Sequence, residues 1–430
     1  MNILETAERI VQEGPICDHC MGRQFAKLST GLANDQRGRS VKLFLAMDAD
    51  RRSKEDNDAG LLKELAPSSQ YARNVLKMKG DDEKCWVCLG LFDQLDEWAD
   101  RAVAAIGDLE YSTFLVGTLV SGLLAENEEI LWAESGTVHA EQLKSELNRE
   151  VGKRIAAKTG KDVDLEQPDI VVTLDLTDVN VTLQIRSVYL FGRYRKLVRG
   201  IPQTRWPCRN CRGRGCEKCN FTGKQYPESV DELIREPVIR AAACEDTKFH
   251  GAGREDIDAK MLGTGRPFVV EAVAPAHRSF DVAEVERQIN EGAAGKVEVE
   301  GLSFVSKDVI ETIKTSKADK VYNLKVTFSD PVPEEILTSA IGQLVGAQIN
   351  QRTPQRVSHR RADLVRKRHV HGIELTDLHD DHAMITVHCE GGLYVKELVS
   401  GDEGRTVPSL TGLINTQATV LELDVVDVKL

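Results

Sequence analysis

Hydrophobic periodicity divides the N-terminal half of the chain into helical and extended segments. Apolar residues recur on one helical face near the start, at Ile3, Leu4, Ala7, Ile10 and Val11. Four-residue apolar spacing predicts a second helix over Gln142–Thr159. Alternating apolar residues then predict strands over Ile170–Leu176 and Val179–Leu190.

The C-terminal half mixes the two patterns. Short helices are predicted over Val230–Glu236, ending before Pro237, and over Glu284–Glu291. Alternation predicts strands over three further stretches, Val269–Ala274, Lys296–Leu302 and Lys320–Phe328. We therefore expect an α+β protein whose C-terminal domain contains a large mixed or antiparallel sheet.

Length and composition indicate an ordinary globular protein. The 430 residues are 41% hydrophobic and 29% charged, enough for two or three domains with their own cores. The longest apolar run, Phe114–Ala125, is too short to span a bilayer, and no N-terminal signal pattern is present. The expected location is cytoplasmic, without a membrane partner.

Eight of the ten cysteines form CxxC pairs, which indicate metal sites in a reducing compartment. Cys17/Cys20 and Cys85/Cys88 are expected to meet as one structural zinc site, with His19 outside it. The alternatives are unrelated free pairs or a redox motif. Cys208/Cys211 and Cys216/Cys219 form a compact C-x2-C-x4-C-x2-C pattern, for which zinc is favoured over an iron–sulfur cluster.

The net charge of −12 conceals strongly basic stretches. The stretch between Gly346 and His369 contains one acidic residue, Asp363, and seven basic residues, namely Arg352, Arg356, Arg360, Arg361, Arg366, Lys367 and Arg368. This balance favours a polyanionic partner over a solvated helix, and Arg356 and Arg360 could share a helical face. Phe191–Gly200 places four cations around Tyr194, which suits either RNA contact or a charged edge strand. The cations around the second cysteine set could balance its thiolates or face RNA.

The stretch Phe249–Phe268, FHGAGREDIDAKMLGTGRPF, is the strongest candidate for chemistry. Its four glycines allow unusual backbone conformations and close approach to a ligand. Arg254 and Arg266 could hold a phosphate or a base edge, while Glu255, Asp256 and Asp258 could act as nucleophile, base or metal ligand. The alternative is a solvated, charged turn.

The order of residues in this stretch resembles a known family. Gly253-Arg254-Glu255-Asp256 resembles the G-R-x-D signature of pseudouridine synthases, and GREDIDxxMLGxGRPF is similar to the archaeal, THUMP-containing branch that modifies T-loop uridines 54 and 55 of tRNA. QRTPxRVxHRRAD also resembles that branch. The resemblance implies an accessory domain over residues 1–226, with a THUMP-like region at about 100–200, and a catalytic domain over 227–430.

The same resemblance assigns roles to individual residues. It implies Asp256 as the nucleophile, Tyr322 as the tyrosine that stacks on the target uracil, and Lys396 as the cation that keeps Asp256 ionised. Arg405 is a second candidate cation. The substrate-binding residues are expected to be Arg254, Arg266, Arg352, Arg356, Arg360, Arg361, Tyr394 and Leu398.

The implied activity is isomerisation of uridine in tRNA by a monomer, with structural zinc and without an organic cofactor. One alternative is a zinc-containing RNA-binding protein or RNA chaperone without catalysis. Another is a metal-dependent nuclease, which would need Glu255, Asp256 and Asp258 to converge on one cation.

Overall fold

A computed structural model describes residues 2–316 and 318–429, which form two compact units that divide between Arg186 and Ser187. The sequence-based boundary after residue 226 lies later in the chain. The difference arises because the strand Val188–Lys196 pairs entirely within the second unit. The second cysteine set consequently also lies in the second unit.

The first unit packs helices against a four-stranded sheet. Its helices are α1 (Ile3–Gln12), α2 (Asp18–Arg23), α3 (Asn34–Glu55), α4 (Gly60–Leu65), α5 (Gln70–Leu76), α6 (Leu95–Ile106), α7 (Gly122–Ser135) and α8 (Leu143–Thr159). Its strands are β1 (Thr113–Leu119), β2 (Asp162–Val163), β3 (Ile170–Asp175) and β4 (Asn180–Ile185), in the order β2-β1-β3-β4. Short 3-10 helices cover Ala66–Ser68 and Leu91–Gln94. The helices predicted at the start of the chain and after Gln142 are confirmed.

The second unit is built on a ten-stranded mixed sheet, which confirms the predicted α+β class. Its strands are β5 (Val188–Lys196), β6 (Asp246–Gly251), β7 (Lys260–Val273), β8 (Val297–Val305), β9 (Asp319–Phe328), β10 (Gln348–Arg352), β11 (Val365–Leu378), β12 (Ala383–Cys389), β13 (Thr406–Val407) and β14 (Ala418–Lys429). Its helices are α9 (Val230–Ala242), α10 (Val282–Ala293), α11 (Val309–Thr315), α12 (Glu334–Leu344), α13 (Val395–Ser400) and α14 (Leu410–Ile414), with 3-10 helices at Glu217–Cys219 and Gln355–Arg360. The order is β13-β10-β11-β12-β9-β14-β7-β5-β8, with β6 on β7, and β14 and β7 are parallel.

Several predicted boundaries are wrong, each for a tertiary reason. Pro237 lies inside α9, because buried Ile234 and Val238 continue one apolar face through it. The extended run from Val179 to Leu190 is two strands, which belong to different sheets. The basic stretch after Gly346 is not an α-helix: it forms β10, a 3-10 turn that follows Pro354, and β11.

In the part of the chain that the structure describes, each helix is either too short or too polar to cross a bilayer. The apolar run Phe114–Ala125 is divided between β1 and α7.

Gly263 marks the closest approach between the motif segment and β14. Its φ is +55°, and a Cβ there would lie 1.8 Å from the Val426 carbonyl oxygen. A left-handed alanine costs about 1–2 kcal/mol, and forcing atoms into a packed contact costs about 1–3 kcal/mol more. We therefore expect Gly263→Ala to lower the free energy of unfolding by about 2–5 kcal/mol in urea titrations.

Gly295→Ala is the matched control for that substitution. Gly295 has φ +75°, but a Cβ there would meet nothing within 4 Å. The control should therefore show the conformational cost alone, about 1–2 kcal/mol. Equal losses in the two variants would contradict a steric role for Gly263.

Candidate active site

Asp256 lies in the loop between β6 and β7, where two cations hold its carboxylate. Arg356 Nη1 lies 3.1 Å from each carboxylate oxygen, and Lys396 Nζ lies 3.6 Å from Oδ2. The Asp256 side chain remains 32% exposed. The site therefore presents an accessible carboxylate fixed between an arginine and a lysine, with Lys396 near Asp256 as the sequence predicts.

Lys396 is shared between two aspartates. Its Nζ lies 2.6 Å from Asp258 Oδ2, closer than to Asp256. Partial desolvation opposes ionisation of Asp258, but the hydrogen bond and charge of Lys396 outweigh it and lower the pKa of that carboxyl. Lys396 thus orders both acids of the GREDID loop instead of pairing with Asp256 alone.

Arg356 is the closer cation to Asp256, a position that the sequence did not predict. It extends from the 3-10 helix Gln355–Arg360, and its Nε and Nη2 contact Glu397 Oε1 and Oε2 at 2.6 and 3.4 Å. The Glu397 side chain is buried, and the Arg356 guanidinium also lies 5.8 Å from the Tyr394 ring centre. Glu397 beside Lys396 was the available signal that a second cation comes to this point.

A buried polar network supports the loop from below. Glu255 accepts hydrogen bonds from the Tyr194 hydroxyl at 2.8 and 2.9 Å and from Arg266 Nε at 2.9 Å. Arg266 Nη1 also donates to the Ala252 carbonyl, and Gln203 Nε2 donates to Tyr194. Burial and the Glu255 charge raise the pKa of Tyr194. Arg266 therefore stabilises the loop from the protein interior and does not lie on a surface that could bind substrate.

Lys196 fixes the backbone of the same loop. Its buried ammonium donates to the carbonyls of Ile201, Asp256 and Ile257 at 2.9, 3.2 and 3.1 Å. β5 lies between β7 and β8, so the edge-strand interpretation of Phe191–Gly200 is wrong. Tyr194 and Lys196 are both buried, which leaves neither to contact RNA.

Tyr322 lies on β9, as predicted, and is half-buried against the core. Desolvation raises the pKa of its hydroxyl, with smaller contributions from Cys389 and Asp256 and an opposing one from Arg266.

The start of α13 is fixed by one buried amide. Gln351 Oε1 accepts from the Tyr394 backbone N–H at 2.8 Å, and its Nε2 donates to the Tyr394 carbonyl at 3.0 Å. These bonds hold the first residue of the segment that carries Lys396. Gln351 is 1% exposed, and its role could not be read from the sequence because it depends on the pairing of β10 with β13.

The remaining predicted residues have different environments. Leu398 is fully buried in the core, so it does not line an open pocket. Arg254 is exposed, with its guanidinium 4.9 Å from the Trp206 ring centre.

Arg352 is exposed and pairs with Asp363 at 2.5 Å. Arg361 is exposed, and the Arg360 side chain lies outside the described part of the structure. Arg405 pairs with Asp363 and Asp402 instead of Asp256.

The three acids of the loop do not form a metal site. Glu255 is directed inward to Tyr194 and Arg266, whereas Asp256 and Asp258 are directed to Arg356 and Lys396. They are absent from the groups of metal-ligating side chains that converge among the described residues. This arrangement counts against the nuclease interpretation.

Both predicted cysteine sets converge and could each hold a metal ion. In Cys17/Cys20/Cys85/Cys88 and in Cys208/Cys211/Cys216/Cys219, the sulfur atoms lie within 4.8 Å of one another. His19 is not part of the first set: its Nδ1 lies 2.8 Å from Glu146 Oε1, and its ring stacks on Phe92. The predicted pairing of the two distant CxxC motifs is confirmed.

Comparison with known proteins shows similarity along nearly the whole chain. The model of the Pus10 C-terminal domain matches residues 189–429, and the archaeal Pus10 THUMP model matches residues 98–175. The tRNA pseudouridine synthase Pus10 of Methanothrix thermoacetophila is 56% identical over 99% of this chain and 94% of its own length. That of Halorubrum lacusprofundi is 42% identical over 100% of this chain and 97% of its own.

These matches confirm the resemblance seen in the GREDID motif. The chain belongs to the Pus10 family of tRNA pseudouridine synthases.

Proposed function

We propose that this enzyme isomerises uridines 54 and 55 in the T-loop of tRNA and that Asp256 is its nucleophile. The observation that carries the proposal is the partly exposed Asp256 carboxylate, which is fixed by Arg356 and Lys396. A binding protein without catalysis has no need for an accessible carboxylate oriented in this way.

The reaction conserves every atom of the uridine. The bond between ribose C1′ and uracil N1 breaks, a bond between C1′ and C5 forms, C5 loses its proton and N1 gains one. No electrons enter or leave, so no redox cofactor is required. Asp256 supplies the nucleophilic oxygen that activates the uridine and is released intact at the end.

Arg356 and Lys396 hold the Asp256 carboxylate in one orientation. Glu397 and Asp258 fix these cations in turn, so that little reorganisation is needed when the substrate enters. Tyr322 provides an aromatic face for the uracil ring.

The target uridine must leave its stack to reach Asp256. The exposed cations Arg254 and Arg361 suit contact with the phosphates on either side of a flipped nucleotide. The motif glycine Gly253 takes φ +78°, a backbone conformation that other residues rarely adopt, and a Cβ there would lie 3.3 Å from Arg266 Nη1.

The proposal is tested with uridine-only tRNA transcripts and chemical mapping of pseudouridine. We expect product at positions 54 and 55, and replacement of one uridine by cytidine should abolish product at that position alone. Tight binding of the transcript without any pseudouridine would instead support an RNA-binding protein without catalysis. Product confined to another arm of the tRNA would overturn the T-loop assignment.

Arg356→Lys is expected to slow the reaction without weakening the binding of tRNA. Only a planar guanidinium can contact Asp256 and Glu397 together, and a lysine can satisfy one of them. We expect kcat to fall about 100-fold, the range seen when one preorganised charge contact is lost. KM for tRNA should change little. Steady-state rates over a range of tRNA concentrations measure both quantities.

Arg352→Lys is the control for this change. Arg352 is exposed and pairs with Asp363, away from Asp256. Its replacement should leave kcat within about threefold, because exposed ion pairs contribute little. A larger loss in kcat for Arg352→Lys than for Arg356→Lys would contradict the role given to Arg356.

We further propose that both cysteine sets hold structural zinc. A tetrahedral site with Zn–S bonds of about 2.3 Å has S–S edges of about 3.8 Å. The observed separations match this edge: 3.7 Å for Cys17–Cys88, 3.8 Å for Cys211–Cys219 and 3.7 Å for Cys216–Cys219. Four thiolates leave no coordination position for a substrate, so zinc would hold the fold and take no part in catalysis.

Cys85→Ser should remove one zinc ion per chain and destabilise the first unit, because the binding free energy of a structural metal contributes to folding. Elemental analysis and thermal unfolding measure these two effects. Cys244→Ser is the control, since Cys244 is buried and lies outside both cysteine sets. Equal metal content in wild type and Cys85→Ser would contradict the assignment.

A further inference from the structure

Three side chains outside the active site converge on the large sheet of the second unit. Asp319 is in β9, His371 in β11 and His388 in β12, and these strands are neighbours in the order β11-β12-β9. His371 Nε2 lies 3.2 Å from Asp319 Oδ2, and the two imidazole centres are 4.9 Å apart. One ligand atom from each residue lies within 4.8 Å of the other two.

The strand register places this cluster on the face of the sheet opposite Tyr322. His388 pairs with Val321, whereas Tyr322 pairs with Val387, and successive residues of a strand point to opposite faces. Val387 and Cys389 are buried in the core, which leaves His388 on the other face. The cluster is therefore separate from Asp256, and the proposed reaction uses none of its members.

A β-bulge directs His371 into the cluster. Val370 pairs with Cys389 and Gly372 with His388, so His371 is the extra residue of β11 at this point. A β-bulge commonly turns a side chain in a direction that it would not take in a regular strand. The irregularity thus brings the second imidazole beside the first.

One ring nitrogen of His388, Nε2, is buried and has no hydrogen-bond partner in the described part of the chain. A buried polar atom without a partner destabilises the folded state. Asp319 and His371 remain 38% and 36% exposed, so an ion from solvent can reach the cluster. Lys429, which pairs with Asp319, and Asp427, which pairs with Val321, are charged neighbours of opposite sign on β14.

We propose that Asp319, His371 and His388 form a third metal site, which takes a divalent transition ion of the zinc class. Two imidazoles and one carboxylate suit such ions, whereas magnesium and calcium prefer oxygen ligands throughout. Metal–ligand bonds of about 2.1 Å require ligand atoms about 3–3.5 Å apart, which small side-chain rotations achieve here. The ion would satisfy His388 Nε2, connect β9, β11 and β12, and keep water at its remaining positions.

The test is the metal content of the full-length protein after dialysis against micromolar free zinc. We expect His371→Gln and His388→Gln each to hold one ion fewer than wild type, whatever the occupancy of the cysteine sets. Zinc should also raise the Tm of wild type above that of His371→Gln, because an ion that binds the folded state stabilises it. Since His371 is partly exposed, its replacement should leave the fold intact.

His382→Gln is the matched control. His382 stacks on His379, 4.5 Å away, beside Asp381, but this pair is not among the converging groups. The control should keep the wild-type metal content. Equal metal content in wild type and His371→Gln would overturn the proposal. Loss of the ion in His382→Gln alone would also overturn it, because it would place the metal site in the turn after β11.

Discussion

Asp256→Asn is expected to lower the rate of pseudouridine formation by about 10⁴-fold or more, the scale seen when an essential nucleophile is removed. Asparagine keeps the size of the side chain and can still accept a hydrogen bond from Arg356 Nη1. It lacks the charge and the nucleophilic oxygen that the proposed mechanism requires. Single-turnover assays on a tRNA transcript measure the rate, and filter binding measures affinity, which should stay within about threefold because exposed contacts elsewhere carry most of it.

Asp258→Asn is the matched control because it changes the other acid that Lys396 contacts. The Asp258 side chain is 68% exposed, and its carboxylate bonds to Lys396 at 2.6 Å. Its loss should free Lys396 to move and reduce the rate by about tenfold at most, as for a weakly buried charge contact. If Asp256→Asn had a small effect and Asp258→Asn abolished the reaction, the nucleophile would be Asp258 instead of Asp256.

Arg266→Met is expected to cause the largest loss of stability in the second unit, about 3–5 kcal/mol, because it leaves an uncompensated charge in the interior. Arg266 and Glu255 are both buried, and their ion pair of 2.9 Å is supported by Tyr194 and the Ala252 carbonyl. Hydrogen exchange of the β5 and β7 amides reports this unit separately from the first.

Two further variants define the cause of that loss. Arg195→Met breaks a half-exposed pair with Glu298 in the same sheet, and it should cost about 1 kcal/mol or less. Adding Glu255→Gln to Arg266→Met removes the uncompensated charge, so the double variant should recover part of the stability. A double variant less stable than Arg266→Met would show that the charge itself is not the cause.

Residues that the sequence placed correctly lie in short, contiguous motifs. The GREDID loop and the segment Leu393–Leu398, which contains Lys396, each carry their candidate residues within a few positions. A resemblance of motifs was therefore enough to predict that Lys396 lies near Asp256. Tyr322 was predicted on a strand because Lys320–Phe328 alternates cleanly, and β9 covers Asp319–Phe328. The cysteine pairs were equally readable, since thiolate spacing reflects the geometry of a metal site.

Residues that the sequence misplaced share a different property: their roles depend on burial and strand register. Arg266, Tyr194 and Lys196 looked like RNA contacts because cations and tyrosines are usually exposed, yet all three are buried under the loop. Nothing local distinguishes a buried arginine from an exposed one. The pairing of β5 with β7 places Tyr194 opposite Arg266, and the Glu255 carboxylate of the β6–β7 loop accepts hydrogen bonds from both.

The sequence by itself determined the family, the α+β class and the cysteine groupings, because these depend on local motifs and periodicity. The tertiary structure decided that Arg356 is the closer cation to Asp256 and that β5 belongs to the second unit. It also decided that His371 and His388 meet Asp319. These contacts join residues far apart in the chain, and the pairing of the strands that carry or flank these residues brings them together.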